Sequence, residues 1–112
     1  MLILKIFRPD EWQALRDTGE TLGAPIDLAD GYIHFSTPEQ AAETAAKHFA
    51  DADDLMLVGV EADCLGEALK WEPSRGGALF PHLYAPLKLE HVAWAQPLPL
   101  VNGTHQFPAG LS

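Results

Sequence analysis

The sequence predicts a single α+β domain, and three observations predict it. At 112 residues the chain lies near the modal domain length, and a chain of this size buries roughly two-thirds of the surface its unfolded form exposes. Two segments start like helices, with a proline at the first helical position (Pro9 and Pro38). Residues 55–60 are apolar at nearly every position, as a strand buried on both faces requires. The expected organisation is one domain over residues 1–98 and an irregular C-terminal tail over 99–112.

In chain order, Leu2–Phe7 reads as the first strand. Pro9 then opens a short helix in which Trp12, Leu15 and Arg16 have i, i+3, i+4 spacing, and Gly19 closes it. Residues 21–30 have no period and carry Gly23, Pro25 and two aspartates, so a loop is expected, ending in an Asp30-Gly31 turn. Residues 32–36 form a short strand. Alternation puts Ile33 and Phe35 toward the core, and Tyr32, His34 and Ser36 toward solvent or a pocket. Thr37-Pro38-Glu39-Gln40 has the form of a capping box. Its helix is expected to run to about Phe49 with Ala42, Ala45, Ala46 and Phe49 as the apolar stripe.

After an acidic loop over 51–54 and the central strand, residues 63–68 read as a helical turn and 69–72 as a short strand. A flexible loop over 73–77 follows, and 78–84 return to the core. Residues 87–96 form the last strand. Their alternation changes phase between Leu89 and Val92, which suggests a bulge near Glu90-His91. From Pro97 the period is lost. Asn102-Gly103-Thr104 matches a glycosylation acceptor but reads as a turn.

Composition narrows the function classes. Seven Lys and Arg stand against 16 Asp and Glu, a formal charge of −9, and no basic run exists to follow a phosphate backbone. General nucleic-acid binding and anionic-membrane binding are therefore not expected. Cys64 is the only cysteine, so no internal disulfide forms, and a lone cysteine is usually a small buried hydrophobe. No stretch approaches the ~20 apolar residues of a membrane span. Met1–Phe7 is apolar but shorter than a secretory core, and no cleavage signal follows, so the cytoplasm is the expected compartment.

Two segments carry the candidate chemistry. Residues 31–37 set His34 and Ser36 on one strand face directly before a helix N-terminus, where unpaired N–H groups favour an anion. Thr37 alternatively serves only as the cap. The second segment runs from Trp71 through Glu72, Pro73, Ser74, Arg75, Gly76 and Gly77 to Phe80, Pro81, His82, Leu83 and Tyr84. Gly76 and Gly77 let backbone N–H groups approach a ligand, and Arg75 offers a planar fork for phosphate or carboxylate. The same residues also suit an ordinary glycine turn. If 81–84 is extended, His82 and Tyr84 share a face, with Glu72 the best-placed acid. Trp71 and Phe80 are expected in the core. His34, His48, His82, His91 and His105 show no metal-ligand spacing, and no metal site is expected. Nucleophile-elbow, dinucleotide, Walker and zincin signatures are absent.

The two segments, with Thr44-Ala45-Ala46-Lys47-His48-Phe49 between them, resemble the bacterial and plant family catalogued as domain of unknown function 952. The resemblance runs from about Leu4 to Leu98. It implies a fold similar to that of ADP-ribosyltransferases, a compact split mixed or antiparallel sheet with a few short helices and a central NAD cleft. By that analogy His34 is the first-strand residue, Ser36 and Thr37 stand beside it, and Tyr84 walls the cleft. Glu72 lies outside any recognisable transferase glutamate motif. The RNA 2′-phosphotransferase branch of that fold uses His and Arg groups in place of this glutamate, which by analogy draws attention to Arg75 and His82, although those enzymes are basic and bind RNA whereas this chain is acidic.

Three readings follow. The first is a transferase-like enzyme acting on NAD or an ADP-ribose metabolite, with His34, Glu72 and His82 as catalytic groups. Ser36, Thr37, Ser74, Arg75, Gly76, Gly77 and Tyr84 then hold the ligand, NAD being a substrate rather than a resident cofactor. The second is a non-catalytic sensor of a nucleotide or another small anionic metabolite. The third is a protein-interaction domain presenting residues 80–84. The direction of Arg75 and the meeting of the two segments in space separate them.

Overall fold

The fold is organised by a strand segment that belongs to two sheets at once. A computed structural model describes residues 1–108, and the Arg75 side chain also lies outside what is described. The first sheet has the order β1 (Leu2–Phe7), β4 (Leu55–Glu61), β8 (Val92–Leu98), all antiparallel. The second has the order β3 (Ile33–His34), β6 (Leu79–Leu83), β5 (Leu69–Pro73), also antiparallel. Residues 33–36 join them. Ile33 and His34 pair with Leu83 and His82, whereas Ser36 bridges to Leu4 of β1, with its N–H donating to the Leu4 carbonyl at 2.9 Å. One extended segment thus leaves one sheet for the other.

The alternation of the strands explains the core. Ile3, Phe7, Val58 and Val60 join Leu15, Ile33, Phe35, Leu83 and Leu87 in one apolar cluster, while Leu4, Ile6, Leu55 and Leu57 join Ala41, Ala45 and Leu98 in another. Each face of β1 and β4 is therefore buried, as the apolar runs of both strands require. Ile33 and Phe35 point into the core as expected, and β4 is the central strand of its sheet.

Three helices begin with one device. In α1 (Pro9–Thr18), α2 (Pro25–Asp30) and α3 (Pro38–His48), proline takes the first position and the third residue turns back to the cap. Glu11, Asp27 and Gln40 accept the N–H groups of Arg8, Ala24 and Thr37 at 2.9, 2.7 and 3.0 Å. Each removes one of the donors a helix start leaves unpaired. The helix α2 corrects the expected loop over 21–30, together with β2 (Glu20–Thr21), which pairs with β7 (Leu87–Lys88). Six residues are too few to display a period, so only the proline and the backbonding carboxylate mark it.

Other expectations are corrected locally. The α3 stripe is Ala41 and Ala45, with Phe49 packed against it as expected, while Ala42 and Ala46 are exposed, because the i, i+4 row Ala41–Ala45 is the one that joins Leu4 and Ile6 of β1 in the core. The expected bulge at Glu90-His91 is a 3-10 turn over Leu89–His91, held by the Lys88 N–H on His91 Nδ1 at 3.2 Å. The register slip instead falls opposite Gly59 and Val60. Trp71 is 37% exposed because β5 is an edge strand, and Cys64 is exposed beside the buried Leu65. Beyond Pro97, β8 continues to Leu98 and a hairpin of β9 (Leu100–Val101) and β10 (Thr104–His105) follows. Asn102 and Gly103 turn it with φ of 52° and 79°, the double left-handed geometry of a tight hairpin. No helix among the described residues is long and apolar enough to cross a membrane.

Candidate functional site

The two sequence segments meet. His34 and His82 are register partners across β3 and β6, their rings 5.4 Å apart. Side chains on that sheet face border a cleft of about 580 Å³, which Leu4 and Ile6 of β1 and Thr44 and His48 of α3 also line. Tyr32, His34 and Ser36 all line it, so the polar side of the 32–36 alternation faces a pocket.

Each histidine is held by a carboxylate, in different ways. His34 Nδ1 lies 2.5 Å from Asp27 Oδ1 and its Nε2 lies 3.0 Å from Asp30 Oδ2. A neutral ring can donate to only one of the two. Asp27 is 1% exposed and also accepts from Lys5 Nζ at 2.8 Å, the Ala24 N–H at 2.7 Å and the His34 N–H at 3.1 Å. Burial by itself pushes the Asp27 carboxyl up, but the donors from His34, Lys5 and Ala24 outweigh it and hold it at about 2.

His82, 3% exposed, has Nδ1 2.8 Å from Glu72 Oε1, and the Tyr84 hydroxyl donates to that same oxygen at 2.7 Å. The bonds from His82 and Tyr84 hold the Glu72 carboxyl below its ordinary value. Conversely, the bond to Glu72, with burial second, pushes the Tyr84 phenol up to about 12. Tyr32 stacks on His82 at 4.2 Å between centroids and lies 5.1 Å from the Tyr84 ring. Burial, then the charges of Asp30 and Glu72, raise the Tyr32 phenol. With Nδ1 donating to a carboxylate, His82 keeps Nε2 as the proton acceptor. Among the described residues nothing hydrogen-bonds to that nitrogen.

The remaining sequence candidates divide. Ser36 is buried on the cleft wall with Oγ 3.0 Å from Thr44 Oγ1, and Ser74 also lines the cleft. Thr37 accepts the Gln40 N–H at 3.3 Å as a helix cap and is not part of the lining. Gly76 and Gly77 have φ of 66° and 82° and make a turn in which the Gly77 N–H donates to the Ser74 carbonyl at 2.9 Å. They are exposed and outside the lining. The expectation for the Arg75 fork falls outside the described residues. Residues 80–83 are buried, which leaves Tyr84 as the exposed part of the expected 80–84 contact surface. Among the described residues no group of three or more His, Cys, Asp or Glu is placed to hold a metal ion.

Sequence reasoning missed Lys5, Asp27 and Asp30, although two signals existed. Lys5 interrupts an otherwise apolar strand, and a buried ammonium requires a buried anion. Ala24-Pro25-Ile26-Asp27 repeats the proline-first spacing of Thr37-Pro38-Glu39-Gln40, and so marks both the helix and its inward carboxylate.

Comparison with known proteins adds a family and a fold relative. The family model described as protein of unknown function DUF952 matches residues 6–95. The crystal structure of protein CC0527 from Caulobacter crescentus is 51% identical, with a TM-score of 0.91 over 95% of this chain and 94% of that one. The solution NMR structure of CC0527 is likewise 51% identical, with a TM-score of 0.83 over 93% and 90% of the two chains. No curated protein matches the chain.

Proposed function

We propose that this chain, which belongs to the DUF952 family, binds a small nucleotide-like metabolite in the cleft and transfers a proton to or from it through His82. The carrying observation is the Glu72–His82 pair at 2.8 Å, with Tyr84 on the same carboxylate oxygen and Tyr32 stacked on the ring. A carboxylate on Nδ1 fixes the tautomer and orientation of an imidazole and stabilises its charged form when Nε2 takes a proton. Glu72 acts on this arrangement through His82 and is a positioning residue.

The finer reading is an NAD- or ADP-ribose-utilising enzyme with a cleft of the ADP-ribosyltransferase kind. Its support is the Tyr32–His82 stack, an aromatic wall suited to a planar ring, in a cleft that Ser36 and Ser74 also line. In that reaction a C–O bond forms at the ribose carbon as the C–N bond to nicotinamide breaks. The proton of the attacking water or hydroxyl goes to His82 Nε2. His34, pinned between two carboxylates, orients the cleft wall instead.

Amide NMR titration with NAD and ADP-ribose tests binding, and release of nicotinamide followed by chromatography tests turnover. Saturable shifts at Tyr32, His34 and His82 are expected. His82→Gln is expected to keep binding and to lower turnover by ~100-fold or more. Binding with no nicotinamide release reduces the chain to a non-catalytic sensor; no shifts at millimolar ligand sink the nucleotide reading.

A further inference from the structure

The cleft has a second end with a different chemistry. Arg8, His48 and Phe49 line both the cleft and an adjoining, more open depression of about 450 Å³, so they stand at the junction of the two. The Arg8 guanidinium lies over the Phe49 ring, 4.9 Å from its centroid. Stacking on an aromatic face restrains a guanidinium while leaving its edge donors free to reach an oxyanion. Among the described residues no carboxylate forms an ion pair with Arg8, in a chain of net charge −9.

The surroundings decide which side of Arg8 an anion would occupy. The outer depression holds Asp51 and the C-terminal end of α3, whose carbonyls repel negative charge, and its Lys47 is already paired with Glu43 at 3.2 Å. Its wall is tied to β10, where His105 Nε2 lies 3.1 Å from the Ala52 carbonyl. On the inner side stand the Ser36 and Thr44 hydroxyls, with the His48 imidazole at the junction beside Arg8. The acids there are already engaged: Asp27 by Lys5 and His34, Asp30 by His34, and Glu11 by the Arg8 N–H.

We infer that the inner side of Arg8 is an anion subsite, taking the phosphate or carboxylate group of the cleft ligand with Phe49 as the back of the clamp. The inference rests on the cleft-binding reading above and names the charged group of its ligand. A ligand spanning both ends would carry its anionic group at Arg8 and its planar part against Tyr32 and His82.

The test is amide NMR of the whole protein with inorganic phosphate, acetate and adenosine, each at matched ionic strength. Phosphate is expected to give saturable shifts at Arg8, Thr44, His48 and Phe49. Arg8→Gln should weaken it by about tenfold or more, and Arg8→Lys by less, since lysine keeps the charge without the fork. Phe49→Leu, folded by its own amide spectrum, should weaken phosphate as well. A response to acetate of equal strength assigns the subsite to oxyanions generally; a response to phosphate alone assigns it to phosphate. Phosphate shifts confined elsewhere, or unchanged in Arg8→Gln, overturn the subsite. Adenosine shifting Tyr32 and His82 while phosphate leaves Arg8 unmoved overturns the subsite and leaves the cleft reading standing. Phosphate at Arg8 with no adenosine response supports the subsite and sinks the nucleotide reading.

Discussion

His34 and His82 sit opposite one another across two strands, yet they have different surroundings. His34 contacts two carboxylates, one of them wholly buried and shared with Lys5. His82 is the more buried ring, but it contacts one partly exposed carboxylate, and its other ring nitrogen has no hydrogen-bond partner among the described residues. The difference teaches that the burial of a histidine says little about its role. The burial of its acid partner, and the number of ring nitrogens that partner network consumes, say more. Around Asp27 the polar groups knot α2, β1 and β3 together, whereas around Glu72 they orient a ring.

The largest effect that could break this contrast is on stability. Asp27→Asn replaces the only anion facing the buried Lys5 among the described residues, so an ammonium loses its compensation. Removing one partner of a buried pair costs on the order of 3 kcal/mol, and chemical denaturation should show that loss. A variant as stable as the parent would make the Asp27 knot ornamental.

Next in size is the acid limb of the stability curve. Asp27 is held at about 2 against an ordinary 3.8, with burial opposing and the His34, Lys5 and Ala24 donors prevailing. A depressed carboxyl stabilises the fold above its unfolded value, and that stability is lost as pH falls through the folded value. Between pH ~4 and ~2 the parent should therefore lose about 2 kcal/mol, a slope that Asp27→Asn should lack. Urea titrations at several pH values measure it, and equal slopes in both proteins would remove Asp27 as its source.

The sequence made one half of the contrast legible and hid the other. Period-two alternation put His34, Ser36, His82 and Tyr84 on the right faces, and the capping box placed α3, because both signals are local. The Glu72–His82 contact needs the β5–β6 register, in which Glu72 pairs with Phe80 and so lies diagonal to His82, and spacing alone does not encode that. Asp27 was hidden twice: its helix is too short for a period, and its partners Lys5 and His34 lie on separate strands. The hairpin within the expected irregular tail is hidden for a similar reason, since a hairpin of two-residue strands has no alternation to display. Its Asn102-Gly103 pair was the signal available.

The smallest expected effect is the one that isolates the Glu72 side. Glu72→Gln leaves a neutral amide that can accept from Tyr84 and either accept from or donate to His82 Nδ1 and, at a partly exposed position, should not disturb the fold. What changes is electrostatic. The Tyr84 phenol, pushed to about 12 chiefly by the hydrogen bond to Glu72, should return toward the ordinary 10.0. Removing the same charge also relieves part of what raises Tyr32, so two phenols should titrate earlier in ultraviolet absorbance. The His82 tautomer, read from its ring nitrogen shifts, should lose its preference for the proton on Nδ1. An unchanged tautomer would mean that the strand register alone orients His82, and Glu72 would then be a surface acid beside the cleft with no part in its chemistry.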